Sequence, residues 1–398
     1  MKKISNLKQK KVALYPQHTK WHSVYNPTIE LLSKNYTLIY HPQSGVVKES
    51  FFSKISRNPT VRLLYLKLIR PVISFEELKL FFKPKMEFLE HSDVIFSSNT
   101  IPPGEDPFIL DLENVTALGG YDYRRLNKEK IEKQLSDKRC KAIICWNEIS
   151  KKSLIETINS DKFKHKLFVL PFSIKSSTIK KQYSKKKVNL LFVSSVNNIY
   201  DFELKGGIIA LEAYKQLVEK YQNVSFYVRA KVPKKIKKIY GGLRGLHFIE
   251  EFLPEKQMRT LFLNSDILFE PVPGINLLLD CMNYGLPSVC FNFWMIPEMC
   301  LDRKNGLIVD ARKMLGDPQY IEDYLCHLSL RWMKLYSHTI DKDILDEFIL
   351  KTSQLIEDPA LREKMGKQAK KMVSDNEIYS LRKRNEKIKQ IFNDSLRS

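Results

Sequence analysis

The chain has 398 residues, 43% of them hydrophobic, and a formal net charge of +21 from 66 Lys and Arg against 45 Asp and Glu. That length suits two domains with separate cores, and no apolar run approaches the roughly 18 residues of a membrane span. The basic start MKKISNLKQKK lacks the apolar stretch of a signal peptide, and the cysteines at 140, 145, 281, 290, 300 and 326 form no CxxC pair and no zinc spacing with histidine, so they read as reduced thiols of a cytoplasmic chain.

In chain order, Lys11–Tyr15 predicts a first strand, followed by a loop from Pro16 to Tyr25 that contains His18 and His22. Asn26-Pro27 predicts an N-cap with proline at the first helical position, leading Thr28 to Ser33 into a helix. Further strands are predicted at Tyr36–His41, Val94–Phe96, Phe108–Leu112, Ala142–Cys145 and Leu167–Leu170, with a helix over Ser150–Ile158. Alternating strands and helices predict a mostly parallel, covered sheet. Residues 175–187 (KSSTIKKQYSKKK) are dense in lysine, contain no acid and read as a linker.

The second half repeats the alternation. Val188–Val193 predicts a buried strand, Ser194 to Leu204 a polar loop, and Lys205-Gly206-Gly207 the opening of a helix over Ile208–Tyr221. Strands follow at Val224–Val228 and Leu246–Ile249, with a Lys-rich segment between them, then a helix over Leu253–Leu263 and a strand over Asp266–Glu270. Pro271 to Asn276 form a turn, Leu277–Tyr284 a short helix stopped by Gly285-Leu-Pro287, and Ser288–Phe291 the next strand. A helix that opens in such a turn just after a strand presents unpaired backbone N–H groups where a phosphate can bind. The tail, Leu361 to Phe392, reads as a charged helix with an apolar stripe.

From Val188 onward the ordered set resembles the donor-binding half of a family 4 glycosyltransferase of the GT-B fold. The matching pieces are Lys205-Gly206 at a helix start, Leu277 to Val289 (LLLDCMNYGLPSV), Pro297-Glu298, Asn305-Gly306 and the tail from Ile356 to Gly366. The resemblance spans roughly 188–398 and is slight over the first half. It implies two Rossmann-like domains whose parallel sheets face across a cleft: an acceptor-side domain over 1–174, the linker 175–187, a nucleotide-sugar-binding domain over 188–375, and a C-terminal helix over 376–398 crossing back to the first domain.

The implied reaction moves a sugar from a nucleotide-diphosphate donor to a hydroxyl of a glycan or lipid-linked acceptor, in polysaccharide or glycolipid biosynthesis. Anomeric configuration is retained and no cofactor or bound metal is needed, the nucleotide-sugar being a substrate. Lys205 would neutralise the departing diphosphate, assisted by Gly206 and by the helix start at Gly274, Ile275, Asn276 and Leu277, and Asp280 would accept hydrogen bonds from the nucleotide ribose. Two departures stand out. The family usually carries Glu-x7-Glu with its second glutamate at the position of Asp280; the place of the first, eight residues earlier, is Val272 here, with Glu270 two residues before it. The family's loop arginine is also missing from 194–203, with Arg229 the candidate replacement. On the acceptor side Glu113, Trp146, His18 and His22 are the expected residues, with Glu113 standing where many members place a histidine and carrying the catalytic role. The alternatives are a nucleotide-sugar epimerase and a non-catalytic GT-B scaffold that binds anionic glycan or membrane.

The charge excess favours anionic partners. Val61–Arg70 and Leu78–Lys85 mix bulky apolar and basic residues, a pattern suited to lying on an anionic membrane surface. No nucleic-acid-binding module is recognisable, so nucleic acid is not the expected partner.

Overall fold

The structure, a computed structural model, describes residues 9–16, 21, 23–39, 92–120, 123–184, 186–315 and 340–397. His18, His22, Cys326 and the basic segments 61–70 and 78–85 lie outside the described residues. The chain divides into two compact units, Met1–Phe172 with Arg384–Ser398, and Ser173–Lys383.

In the first unit β1 (Lys11–Tyr15), β2 (Thr37–Ile39), β3 (Val94–Ser98), β4 (Phe108–Leu112), β5 (Cys140–Cys145) and β6 (Leu167–Val169) form one sheet in the order β2-β1-β3-β4-β5-β6. Every pairing is parallel. The central strands read as near-continuous apolar runs because both faces are covered: Phe108, Leu110 and Ile143 are fully buried, and Leu135, Leu154 and Phe163 pack against the same core. The covering helices include α1 (Asn26–Asn35), α2 (Lys128–Ser136) and α3 (Glu148–Thr157). α1 starts at Asn26 itself with Tyr25 in the cap position and no side-chain cap bond, so the expected Asn26 cap is not formed. α3 does have an asparagine cap, Asn147 accepting from the Ser150 N–H at 2.7 Å.

In the second unit β7 (Val188–Val193), β8 (Val224–Arg229), β9 (Leu246–Ile249), β10 (Ile267–Phe269), β11 (Ser288–Phe291) and β12 (Gly306–Val309) give the order β12-β11-β10-β7-β8-β9, again parallel throughout. Its helices are α4 (Ile199–Leu204), α5 (Gly207–Lys220), α6 (Lys234–Tyr240), α7 (Glu255–Asn264), α8 (Ile275–Asn283), α9 (Ile296–Met299), α10 (Arg312–Leu315), α11 (Lys342–Glu357) and α12 (Pro359–Met372). The sheet grows outward from β7 in one direction through β8 and β9, then restarts at β10 on the other side of β7. The strand order therefore reverses between β7 and β10, and in an open parallel sheet the crevice outside the carboxyl ends at such a switch point is where ligands bind.

Residues 175–184 run along this second unit. Lys181 donates to the carbonyls of Phe262 and Leu263 at 3.2 and 2.8 Å, closing the end of α7, and the Tyr183 hydroxyl donates to the Gly285 carbonyl at 3.0 Å. The expected single tail helix is two helices, α12 and α13 (Leu381–Arg397). From Arg384 onward α13 belongs to the first unit, burying Ile388, Ile391 and Phe392, with the Phe392 ring 5.6 Å from that of Phe96.

Candidate functional site

The switch point of the second unit is built by two chain segments that leave β7 and β10. The first passes through α4, a helix where a polar loop was expected, which buries Phe202 completely. It reaches Lys205-Gly206. Gly206 has φ +80, and a Cβ on it would lie 2.6 Å from Pro271, so only glycine lets the loop close on the second segment. The Lys205 carbonyl accepts from the Val272 N–H at 3.3 Å, which fixes the lysine backbone beside the β10–α8 turn.

The second segment is Glu270 to Gly274, leading into α8. Gly274 is the cap residue of α8, and among the described residues no side chain caps the helix. By helix geometry the N–H groups of Ile275 and Leu277, with Asn276 between them, face out of its amino end, where the helix dipole adds partial positive charge. The Lys205 Nζ lies 3.6 Å from where a Cβ on Gly274 would sit. A lysine cation and a helix amino terminus thus converge at one place.

Glu270 closes the floor of this place. It is fully buried, and its Oε2 accepts from the Val193 N–H at 2.9 Å, so it bridges the ends of β7 and β10. Its Oε1 is buried without a hydrogen-bond partner among the described residues. Burial pushes the carboxyl up to about 8, partly offset by the Lys205 charge. The neighbouring Val272 is also buried, 1% exposed.

Asp280 lies on α8, half-buried, with its carboxyl pushed up to about 6 by burial and by the Glu255 carboxylate at the start of α7. Arg229, at the end of β8, donates from Nη1 to the Ser194 carbonyl at 3.0 Å, so its guanidinium holds the loop after β7. α8 ends in a Schellman-type turn, Leu286 N–H to Cys281 carbonyl at 2.8 Å, around Gly285 with φ +69. Asn305 is a turn residue, accepting from the Leu301 N–H at 2.7 Å and donating to the Met299 carbonyl at 2.9 Å.

In the first unit Glu113 is 6% exposed just past β4, its N–H donating to Asn99 Oδ1 at 2.7 Å. Trp146 is 8% exposed and its indole N–H donates to Asp111. Asp111 is the residue that sequence reasoning passed over. It is fully buried in β4 and accepts from the Tyr25 hydroxyl at 2.8 Å. Burial raises its carboxyl to about 6 against the lowering effect of Arg384, Trp146 and Tyr25. Arg384, on α13, donates to Thr28 Oγ1 at 2.5 Å and the Pro171 carbonyl at 3.1 Å and lies over the Phe172 ring at 5.1 Å. The available signal was an aspartate inside an otherwise apolar strand run, FILDL.

Among the described residues no group of three or more His, Cys, Asp or Glu side chains is placed to hold a metal ion, and no helix is long and apolar enough to cross a membrane. No protein-family model matches the sequence, and no curated protein matches it either. Solved structures do. The chain superposes over 97% of its length on 98% of sucrose-phosphate synthase from Thermosynechococcus elongatus, with a TM-score of 0.59 at 10% identity. WaaG, a glycosyltransferase involved in lipopolysaccharide biosynthesis, gives 0.56 at 14% identity, over 96% of this chain and 99% of that one.

The fold is GT-B.

Anabaena Alr3699/HepE, solved with UDP and glucose, is similar to the same degree, with a TM-score of 0.55 at 11% identity over 97% of this chain and 99% of that one. TarM is longer: this chain spans 58% of its length, at 13% identity and a TM-score of 0.52. At these identities the likeness is one of fold.

Proposed function

We propose that the protein is a glycosyltransferase that takes a sugar from a nucleotide-diphosphate-sugar and passes it to a hydroxyl of a glycan or lipid-linked acceptor. The observation that carries this reading is the convergence of Lys205 and the amino end of α8 at the β7/β10 switch point, where the Nζ comes within 3.6 Å of the Gly274 Cβ position. Two sources of positive potential aimed at one volume suit a diphosphate. As the bond between the sugar's anomeric carbon and the diphosphate oxygen breaks, negative charge grows on the departing oxygen, and fixed donors already in place stabilise it. Asp280 is assigned to the ribose hydroxyls, and Glu113 is the carboxylate for the transferred sugar or the acceptor hydroxyl, with Trp146, His18 and His22 as further acceptor-side residues. The proposal also includes transfer with retention, no requirement for bound metal, membership of family 4, and work at a cytoplasmic membrane surface. HepE, with its bound UDP and glucose, supports the donor class.

A non-catalytic scaffold is the second reading. It is favoured by the apolar, buried Val272 and by the sequestered Glu270, which leave no acid where the resembled family usually has its first one. Glycosyl transfer assayed with a nucleotide-sugar panel separates the two: release of nucleoside diphosphate with a matching acceptor supports the transferase, and donor binding without turnover on any acceptor supports the scaffold.

A further inference from the structure

The geometry points to a docking surface for an anionic lipid bilayer on the second unit, formed by α6 and Phe252. This deepens the membrane-surface part of the proposed function and does not depend on catalysis. The segment 231–244 (KVPKKIKKIYGGLR) contains six basic residues and no acid. Lys231, Lys234, Lys235 and Lys238 are exposed, whereas Lys237 is held by Glu250 at 2.5 Å. α6 meets the core through Tyr240, whose hydroxyl donates to Glu212, and the segment before it is anchored by the buried Val232. The next residue back along the helix, Ile239, is 60% exposed.

Phe252 lies near the start of α6. The Ala230 N–H donates to the Ile249 carbonyl at 3.1 Å and the Val232 N–H to Glu250 Oε1 at 3.0 Å, so the segment entering α6 runs beside the segment leaving β9. Phe252 follows Glu250 by two residues, roughly 7 Å of extended chain, and is 75% exposed. Phe252 and Ile239 are the two most exposed large hydrophobic side chains among the described residues. Glu250, paired with Lys237, and Glu251 are the acids next to Phe252 in the chain.

The pairing of side chains selects the occupant. Lysines alone suit any polyanion and Phe252 alone would stack on a base, but the exposed aliphatic Ile239 gains little from a nucleic acid or an acidic glycan, whereas a bilayer takes both apolar side chains. At a bilayer the two apolar side chains enter the headgroup boundary while the lysines meet lipid phosphates. β9 is the edge strand of its sheet, and both segments leave the carboxyl ends of β8 and β9, the edge on which Lys205 and Glu270 also lie. A bilayer held here would keep the switch-point crevice near the lipid surface.

The test is co-sedimentation of the full chain with vesicles of phosphatidylcholine alone and of phosphatidylcholine mixed with phosphatidylglycerol. The unsubstituted protein should bind the mixed vesicles, weaken as salt is added, and leave the neutral vesicles unbound. Two variants, Lys234→Gln/Lys235→Gln/Lys238→Gln and Ile239→Ser/Phe252→Ser, should each retain the melting temperature and lose about tenfold or more in vesicle affinity. Variants that bind as well as the unsubstituted protein overturn this surface while leaving the membrane reading intact. A loss confined to the lysine variant marks a polyanion site and overturns the bilayer assignment, and an unsubstituted protein that ignores anionic vesicles removes the membrane reading as well.

Discussion

The Lys205 ammonium stands 3.6 Å from the position of a side-chain carbon on Gly274, the residue that caps α8. The two residues are brought together by the order of strands: Lys205 follows β7, Gly274 follows β10, and β10 pairs directly with β7. Glu270 is buried beneath them, where the charges of Lys205 and Asp201 both act on it. If Lys205 stabilises the departing diphosphate, Lys205→Ala should lower glycosyl-transfer turnover by roughly 100-fold or more with little change in melting temperature. Unchanged turnover would remove Lys205 from the site.

The two glycines of the site should respond oppositely to substitution. At Gly206 an alanine meets both a positive φ and the Pro271 ring at 2.6 Å, so Gly206→Ala should cost about 1–3 kcal/mol of stability. Gly274 has an ordinary extended backbone, φ −82, and within 4 Å only the tip of Lys205 faces its Cβ position. Gly274→Leu should therefore melt like the unsubstituted protein while filling the volume that the diphosphate needs. Urea unfolding and nucleotide titration of the two variants check this; a Gly274→Leu protein that binds nucleotide normally would place the ligand elsewhere.

Glu270 predicts a pH dependence of stability. Its folded-state carboxyl is raised by burial to about 8, far above the usual glutamate range, so between about pH 4.5 and 8 the folded chain holds a proton that the unfolded chain has released. Stability from this group is complete at low pH and is lost as pH rises through 8, with a slope of up to about 1.4 kcal/mol per pH unit. Glu270→Gln keeps the shape and removes the titration. Its unfolding free energy should lose that slope, and an unaltered slope would show that Glu270 does not hold the proton.

Arg384 fastens the start of the C-terminal helix to the first unit through Thr28, Pro171 and the buried charge of Asp111. Removing one member of a buried charged group leaves the other uncompensated, at a cost of about 3–5 kcal/mol. Arg384→Ala should lower stability by that order and expose the chain after Lys383 to trypsin. Equal protection of both proteins would mean that the apolar face of α13 holds it alone.

Much of the sheet architecture was legible because buried parallel strands are short apolar runs with polar ends, so β1, β4, β7, β9 and β11 fall where the sequence predicts. β12 was passed over because Gly306–Val309 follows Asn305 directly and the pair reads as a turn. α4 hides in a polar stretch because its buried contacts are few, chiefly Phe202 and Leu204. The tail divides into two helices around Asn376, which has φ +70; the Asp375-Asn376 pair was the turn signal, overridden in the reading by the apolar stripe on either side. Tyr25 takes the cap position of α1 because its hydroxyl is drawn into Asp111, a contact across 86 residues that local pattern does not contain. In the site, Lys205 and the α8 start were readable as separate phosphate-binding features. Their convergence, and the burial of Glu270, depend on which strands are neighbours, and spacing does not carry that.

The switch point of the second unit is proposed to bind a nucleotide-diphosphate-sugar. Calorimetric titration of the unsubstituted protein with nucleoside diphosphates and their sugars, beginning with UDP and UDP-glucose, tests it directly. One base should bind saturably, raise stability by about 2.7 kcal/mol at 100 times its dissociation constant, and lose affinity in Lys205→Ala. Folded protein that takes up none of these nucleotides would contradict the claim.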